Sequence, residues 1–146
     1  MRELPRQLSA DELAELFEGR TVLVERLAAL ENPLGQARRV AMQDLTPTER
    51  LEVLNAHPAI GAKKLSARSA AEQGADADPD VLAELERLNR EYEQRHGFRF
   101  VVFVNRRPKA EILEVLRSRL DNPTAQELDT ALGELVAIAE DRWRRG

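Results

Sequence analysis

Apolar residues recur at spacings of three and four along most of the chain. Leu128, Leu132, Leu135 and Ala139 form one such stripe, and Val81, Leu85, Leu88 and Tyr92 form another. This is the pattern of amphipathic helices that turn one face to a core. Start signals agree with it. Ser/Thr-x-x-Glu occurs at Ser9/Glu12, Thr46/Glu49, Ser69/Glu72 and Thr124/Glu127, the spacing at which a hydroxyl and a carboxylate cap a first helical turn reciprocally. Asn32-Pro33, Thr46-Pro47 and Asp78-Pro79 place a capping residue before a proline suited to the first helical position. Together these features predict helices over 9–18, 20–30, 33–43, 46–56, 79–96, 108–120 and 124–143. The expected fold is all-α, a bundle of about seven helices in one domain spanning 1–146.

Two segments break the pattern. Residues 57–78 carry His57-Pro58, Gly61 and Gly74 between helices, which predicts a loop with one or two short helical turns. After the His96-Gly97 helix stop, a β-branched apolar run leads to Asn105-Arg106-Arg107-Pro108. It reads as a short extended segment near 98–105. No second strand is present to pair it, so its N–H and C=O groups, if buried, need side chains, water or a ligand instead.

Composition narrows the function. Of 146 residues, 22 are Lys or Arg and 26 Asp or Glu, a net charge of −4 at neutral pH. The basic residues are interspersed with acids, which sets aside nucleic-acid binding. The longest strictly apolar run, Phe100 to Val104, is far short of the roughly 20 residues that span a bilayer. The amino-terminal stretch also lacks the apolar core of a signal sequence, so a cytoplasmic protein without membrane contact is expected. There is no cysteine and there are two histidines, which excludes disulfides, thiolate metal sites and a multi-histidine metal centre.

Imidazole chemistry must therefore use His57 or His96. His57 precedes a proline that keeps it out of helix, at a bend suited to a catalytic group, or it is a helix-end histidine facing the last carbonyls. His96, four residues after Tyr92 and directly before Gly97, reads as a helix terminator. Ser69 to Gln73 is a capping box, or a helix start whose amides grip an anionic ligand. Arg142 and Arg119 each fall seven residues after an apolar stripe position, Leu135 and Ile112. Each is read either as snorkelling beside the core or as a ligand clamp.

His57-Pro58, Ser69-x-x-Glu72-Gln73, Leu88-Asn89-x-x-Tyr92, Gly97-Phe98-x-Phe100-Val101-Val102, Arg119-Leu120-x-Asn122 and the Glu134/Arg142 helix follow one another in this order. Over about residues 13 to 142 this succession resembles the 2-oxo-4-hydroxy-4-carboxy-5-ureidoimidazoline (OHCU) decarboxylase family of urate breakdown. The resemblance implies an all-helical, cofactor-free carboxy-lyase, commonly a homodimer, that decarboxylates OHCU and protonates the resulting carbanion stereospecifically to (S)-allantoin. By motif, His57 would be the catalytic acid, with Glu72 orienting it or accepting from the substrate hydroxyl. Pro58 would line the pocket, and Ser69, Ala70, Ala71, Glu72 and Gln73 would hold the substrate's polar edge. Phe100, Val101, Val102, Phe103 and Val104 would supply main-chain contacts, and Arg142, with Arg119 in reserve, would clamp a carboxylate or carbonyl. Two alternatives stand beside this reading: a non-catalytic helical interaction module on the same fold, and a decarboxylase of a related ureido acid.

Overall fold

The computed structural model describes residues 3–56 and 78–146. Caps set most of the helix boundaries. Ser9 and Glu12 form a reciprocal capping box at the start of α1 (Ala10–Phe17), and Glu18, in the left-handed region at φ 63°, closes it through its N–H to the Ala14 carbonyl. Thr21 caps α2 (Val22–Ala28), and α3 (Pro33–Arg39) starts on proline after a left-handed Asn32 whose side chain makes no cap bond. At α4 (Pro47–Ala56) the Thr46/Glu49 box forms in both directions. Asp78 caps α5 (Pro79–His96), and Gly97 at φ 81° ends it. The last two described helices are α6 (Lys109–Leu120) and α7 (Thr124–Arg145).

Three expectations are corrected, the first being the capping role of Asn32, whose backbone is left-handed instead of extended and whose side chain makes no bond to the first turn's amides. The helix predicted to 43 ends at Arg39 and continues as a π-helical turn over Val40–Asp44. The wider turn lets Val40, Ala41 and Leu45 all reach the core, and Arg50 bonds the Ala41 and Met42 carbonyls that it leaves over. The third correction concerns Thr124/Glu127, which is not a capping box. Pro123 stands at the cap of α7 and no side chain bonds the first turn. Thr124 meets His96 instead, and Glu127 points inward.

The helices enclose residues 98–104, which run without helix or ladder partner. Phe98, Phe100, Val101, Val102 and Val104 are all buried. Tyr92 packs edge-on against Phe98 and Phe100, with ring centroids 5.8 and 5.3 Å away. The segment ends in a tight turn in which the Arg107 N–H bonds the Val104 carbonyl at 3.0 Å. Both central residues, Asn105 and Arg106, have positive φ (49° and 61°), as in a type I′ turn. Asn tolerates this conformation, whereas Arg does so at a cost of about 1–2 kcal/mol. Arg106→Gly should therefore stabilise the protein by roughly 0.5–1 kcal/mol after the glycine's extra unfolded-state freedom is subtracted. Thermal melting should show a Tm higher by about 2–4 °C, and a lowered Tm would contradict the turn assignment.

Candidate active site

Hydrogen bonds to the enclosed segment alternate along it. The Arg99 N–H donates to Asn55 Oδ1 of α4 at 3.1 Å, the Val101 carbonyl accepts from Arg119 Nη1 of α6 at 2.8 Å, and the Phe103 N–H faces Glu134 Oε1 of α7 at a long 3.5 Å. The Phe103 carbonyl accepts from Arg107 Nη2. An extended chain presents the amides of alternate residues to opposite edges, so the odd-numbered edge is held by side chains from three helices and the following turn. Among the described residues, nothing hydrogen-bonds the N–H or C=O of Phe100 or Val102. These are buried polar groups, and such groups are paired in folded proteins. Among the described residues, the amides of Phe100 and Val102 thus keep bonding capacity for a ligand, whereas the Val104 carbonyl on the same edge already accepts from Arg107 N–H and Nε.

The hold at Val101 comes from a buried polar cluster. Arg119 is 7% exposed and Glu127 is fully buried. Arg119 Nε donates to Glu127 Oε1 at 2.8 Å, and its guanidinium carbon lies 4.6 Å from the centroid of the Phe100 ring. Glu127 also accepts from the Tyr92 hydroxyl at 2.6 Å and from Asn122 Nδ2 at 3.0 Å. Burial pushes the Glu127 carboxyl up, but the bonds from Tyr92 and Asn122 and the charge of Arg119 outweigh it and hold the group below its ordinary value. Burial and the carboxylate neighbour push the Tyr92 hydroxyl above its ordinary value, so it remains a donor. Among the described residues, two buried side-chain atoms, Arg119 Nη2 and Asn89 Oδ1, have no hydrogen-bond partner.

Neither arginine snorkels. Arg142 is 2% exposed. Its Nη1 donates to the Leu16 carbonyl at 2.9 Å and its Nη2 lies 3.2 Å from Glu18 Oε1, where it satisfies the C-terminus of α1. Both are buried because ion pairs and carbonyls wait for them on neighbouring helices. Glu127 and Arg142 are fifteen residues apart on α7, roughly 22 Å along its axis, so Arg119 and Arg142 serve opposite ends of that helix. Between them lies Glu134, so the enclosed segment runs along α7 from the Arg119 end toward Arg142.

Of the residues singled out by sequence, Phe100 to Val104 and Arg119 come together, while Arg142 engages the end of α1. His57, Pro58, Ser69, Ala70, Ala71, Glu72 and Gln73 lie outside the described residues. His96 is structural. Its Nε2 donates to the Leu120 carbonyl at 3.0 Å, and its Nδ1 lies 2.7 Å from Thr124 Oγ1, a hydroxyl that can donate or accept. It thus pins the end of α5 to the α6–α7 junction. Sequence reasoning missed Glu127 and Asn55 as supports of the segment. Glu127 was visible as the first member of a stripe with Ala131, Leu135 and Arg142, whereas an exposed Asn55 carries no such signal.

The helical frame is that of a known class of small decarboxylases. A crystal structure of OHCU decarboxylase in the presence of (S)-allantoin superposes with a TM-score of 0.76 at 25% identity, over 90% of this chain and 94% of that one. A crystal structure of (S)-allantoin synthase shares the fold at a TM-score of 0.68 and 22% identity, over 91% of this chain and 47% of its own. The family model for OHCU decarboxylase matches residues 2–144, and the chain belongs to this family of carboxy-lyases. The 2-oxo-4-hydroxy-4-carboxy-5-ureidoimidazoline decarboxylase of Haloferax volcanii is 32% identical over 143 residues, covering 90% of this chain and 84% of the relative. The uric acid degradation bifunctional protein PucL of Bacillus subtilis is 28% identical over 97% of this chain, which spans 31% of that longer protein.

The carboxylate at the centre of the cluster gives a pH signature. A group whose folded pKa is depressed adds stability above its unfolded value, near 4.3 for Glu, and loses it as pH falls through the folded value. Glu127→Gln should lower stability at pH 7 by roughly 3 kcal/mol, because it leaves Arg119 buried without a counter-charge. It should also flatten the fall in stability below about pH 4.3. Denaturant titrations of both proteins at pH 7, 5 and 3.5 check this, and parallel losses at all three would remove Glu127 from the acid response.

Proposed function

We propose that this chain decarboxylates OHCU to (S)-allantoin, without a cofactor, in urate degradation. The observation that carries the reading is the buried, single-stranded segment with one edge held by helices and the other left with bonding capacity. A planar ureido and ring system offers the amide donors and acceptors that such an edge matches. The family membership supplies the substrate.

The chemistry follows from the substrate. The carboxylate and hydroxyl stand on C4, the ureido group on C5, and the remaining ring double bond joins C5 to nitrogen. As the C4–carboxylate bond breaks, its electron pair forms a C4–C5 double bond and the C=N pair moves onto nitrogen, so the ring itself is the electron sink. Carbon dioxide leaves. A proton added at C5 creates the stereocentre, and the C4 hydroxyl releases its proton to the ring nitrogen as it becomes the carbonyl. By motif, His57 donates the proton to C5, and Glu72 orients the imidazole or accepts from the hydroxyl. Pro58 and Ser69, Ala70, Ala71 and Gln73 complete the pocket. Main-chain groups of Phe100 and Val102, with the Val104 N–H, bind the ureido and ring edges, and Arg142 receives the carboxylate. A clamp that held the carboxylate as tightly before bond breaking as during it would not accelerate the step.

The same reading makes the working form a cytoplasmic homodimer, which light scattering on the purified protein checks. Among the described residues no helix is long and apolar enough to cross a membrane. Freshly generated OHCU should give (S)-allantoin, followed by circular dichroism, much faster with the protein than without it. His57→Ala should fold and turn over at least ~10²-fold more slowly, and a folded variant with more than half the activity would sink its role. Glu72→Gln separates capping from chemistry, since an amide at the third helical position still caps. It should leave Tm nearly unchanged and lower kcat at least tenfold. The basic limb of the pH–rate profile should move to lower pH, because the histidine loses a supporting charge.

A further inference from the structure

The cluster around Arg119 is more than a core filler, because every one of its engaged groups converges on the substrate-facing segment or on what holds it. We infer that Arg119 is a positioning residue, fixed by Glu127, that sets the register of the enclosed segment by gripping the Val101 carbonyl and the Phe100 ring from behind. The inference rests on the reading of that segment's opposite edge as the substrate contact.

Three observations carry it. First, the Val101 carbonyl accepts from Arg119 Nη1 at 2.8 Å, and the donor is a side chain that is itself buried. Second, the planar fork is used in three ways at once: Nε to Glu127, Nη1 to Val101 and its face over Phe100. A lysine has one compact ammonium and cannot make these three contacts together. Third, Glu127 has no freedom of its own, because Tyr92 and Asn122 occupy it from α5 and from the α6–α7 connection. The residues on either side of Val101, Phe100 and Val102, carry the amides of the other edge. A shift of Val101 therefore moves both of them. Groups that bind the substrate equally before and during reaction change KM and leave kcat alone.

Arg119→Lys in the full chain is the test, with kcat and KM measured on OHCU, Kd for (S)-allantoin measured by calorimetry, and Tm. The positioning role requires KM and Kd to rise together by about tenfold, with kcat held within about threefold. A merely structural arginine would lower Tm and the fraction of active molecules, reducing apparent kcat at unchanged KM, and that result overturns the inference. Should Arg119→Lys fail to fold, Phe100→Leu removes the ring beneath the guanidinium while keeping the main chain, and KM must rise at least threefold there. An unchanged KM in that folded variant overturns the inference equally. If the unaltered protein neither converts OHCU nor binds (S)-allantoin, the functional reading fails and the inference falls with it; the wild-type measurement tells the two failures apart.

Discussion

A buried stretch of chain that is neither helix nor ladder sets the terms for the rest of this molecule. Helices satisfy their own amides, but residues 98–104 cannot, and each unpaired buried group costs on the order of 1–3 kcal/mol. The fold answers from outside the segment. Asn55, Arg119, Glu134 and Arg107 each reach in from a different element, and all but the turn arginine sit on helices whose relative placement must already be correct. Packing and polar satisfaction thus depend on one another: the aromatic contacts of Tyr92 with Phe98 and Phe100 place the segment, and the arginine and carboxylates fix its edge.

The burial of an Arg–Glu pair is weak evidence for stability, since desolvating two charges offsets most of their attraction. What such a pair provides is direction. Glu127 receives Tyr92, Asn122 and Arg119 within 3.0 Å, so the guanidinium has one orientation, and through it the segment has one register. That division of labour suits a wall of the pocket at which main chain meets the ligand, because backbone amides lose little rotamer freedom on binding.

The helices were legible because their boundaries are local. Ser9, Thr46, Asp78 and Gly97 each act within a turn of their own position, and the apolar periods between them needed no partner to be read. The extended segment was legible for the opposite reason: a β-branched run with no mate nearby. Where a residue had both a local and a distant use, the local rule misled. Thr124 and Glu127 satisfy the capping pattern, yet three donors from other elements outcompete a first-turn amide for the carboxylate. Arg119 and Arg142 were marked by their stripe positions, but their partners, Val101 and Leu16, could be known only from tertiary structure. The π turn at Val40–Asp44 was invisible, since no local pattern marks it and the Arg50 that meets two of its carbonyls comes from α4.

The tie between Arg142 and the Leu16 carbonyl joins positions 126 residues apart, and this has a consequence for how the chain is made. During synthesis at about 5–20 residues per second, α1 exists for roughly 6–25 s before α7 emerges to cover it. Through that interval Leu13, Leu16 and Phe17, all buried in the finished fold, stand without their partner helix. The helix α1 therefore leaves the ribosome well before the helix that seals it. The apolar face it carries is the surface a holding chaperone would meet on the nascent chain.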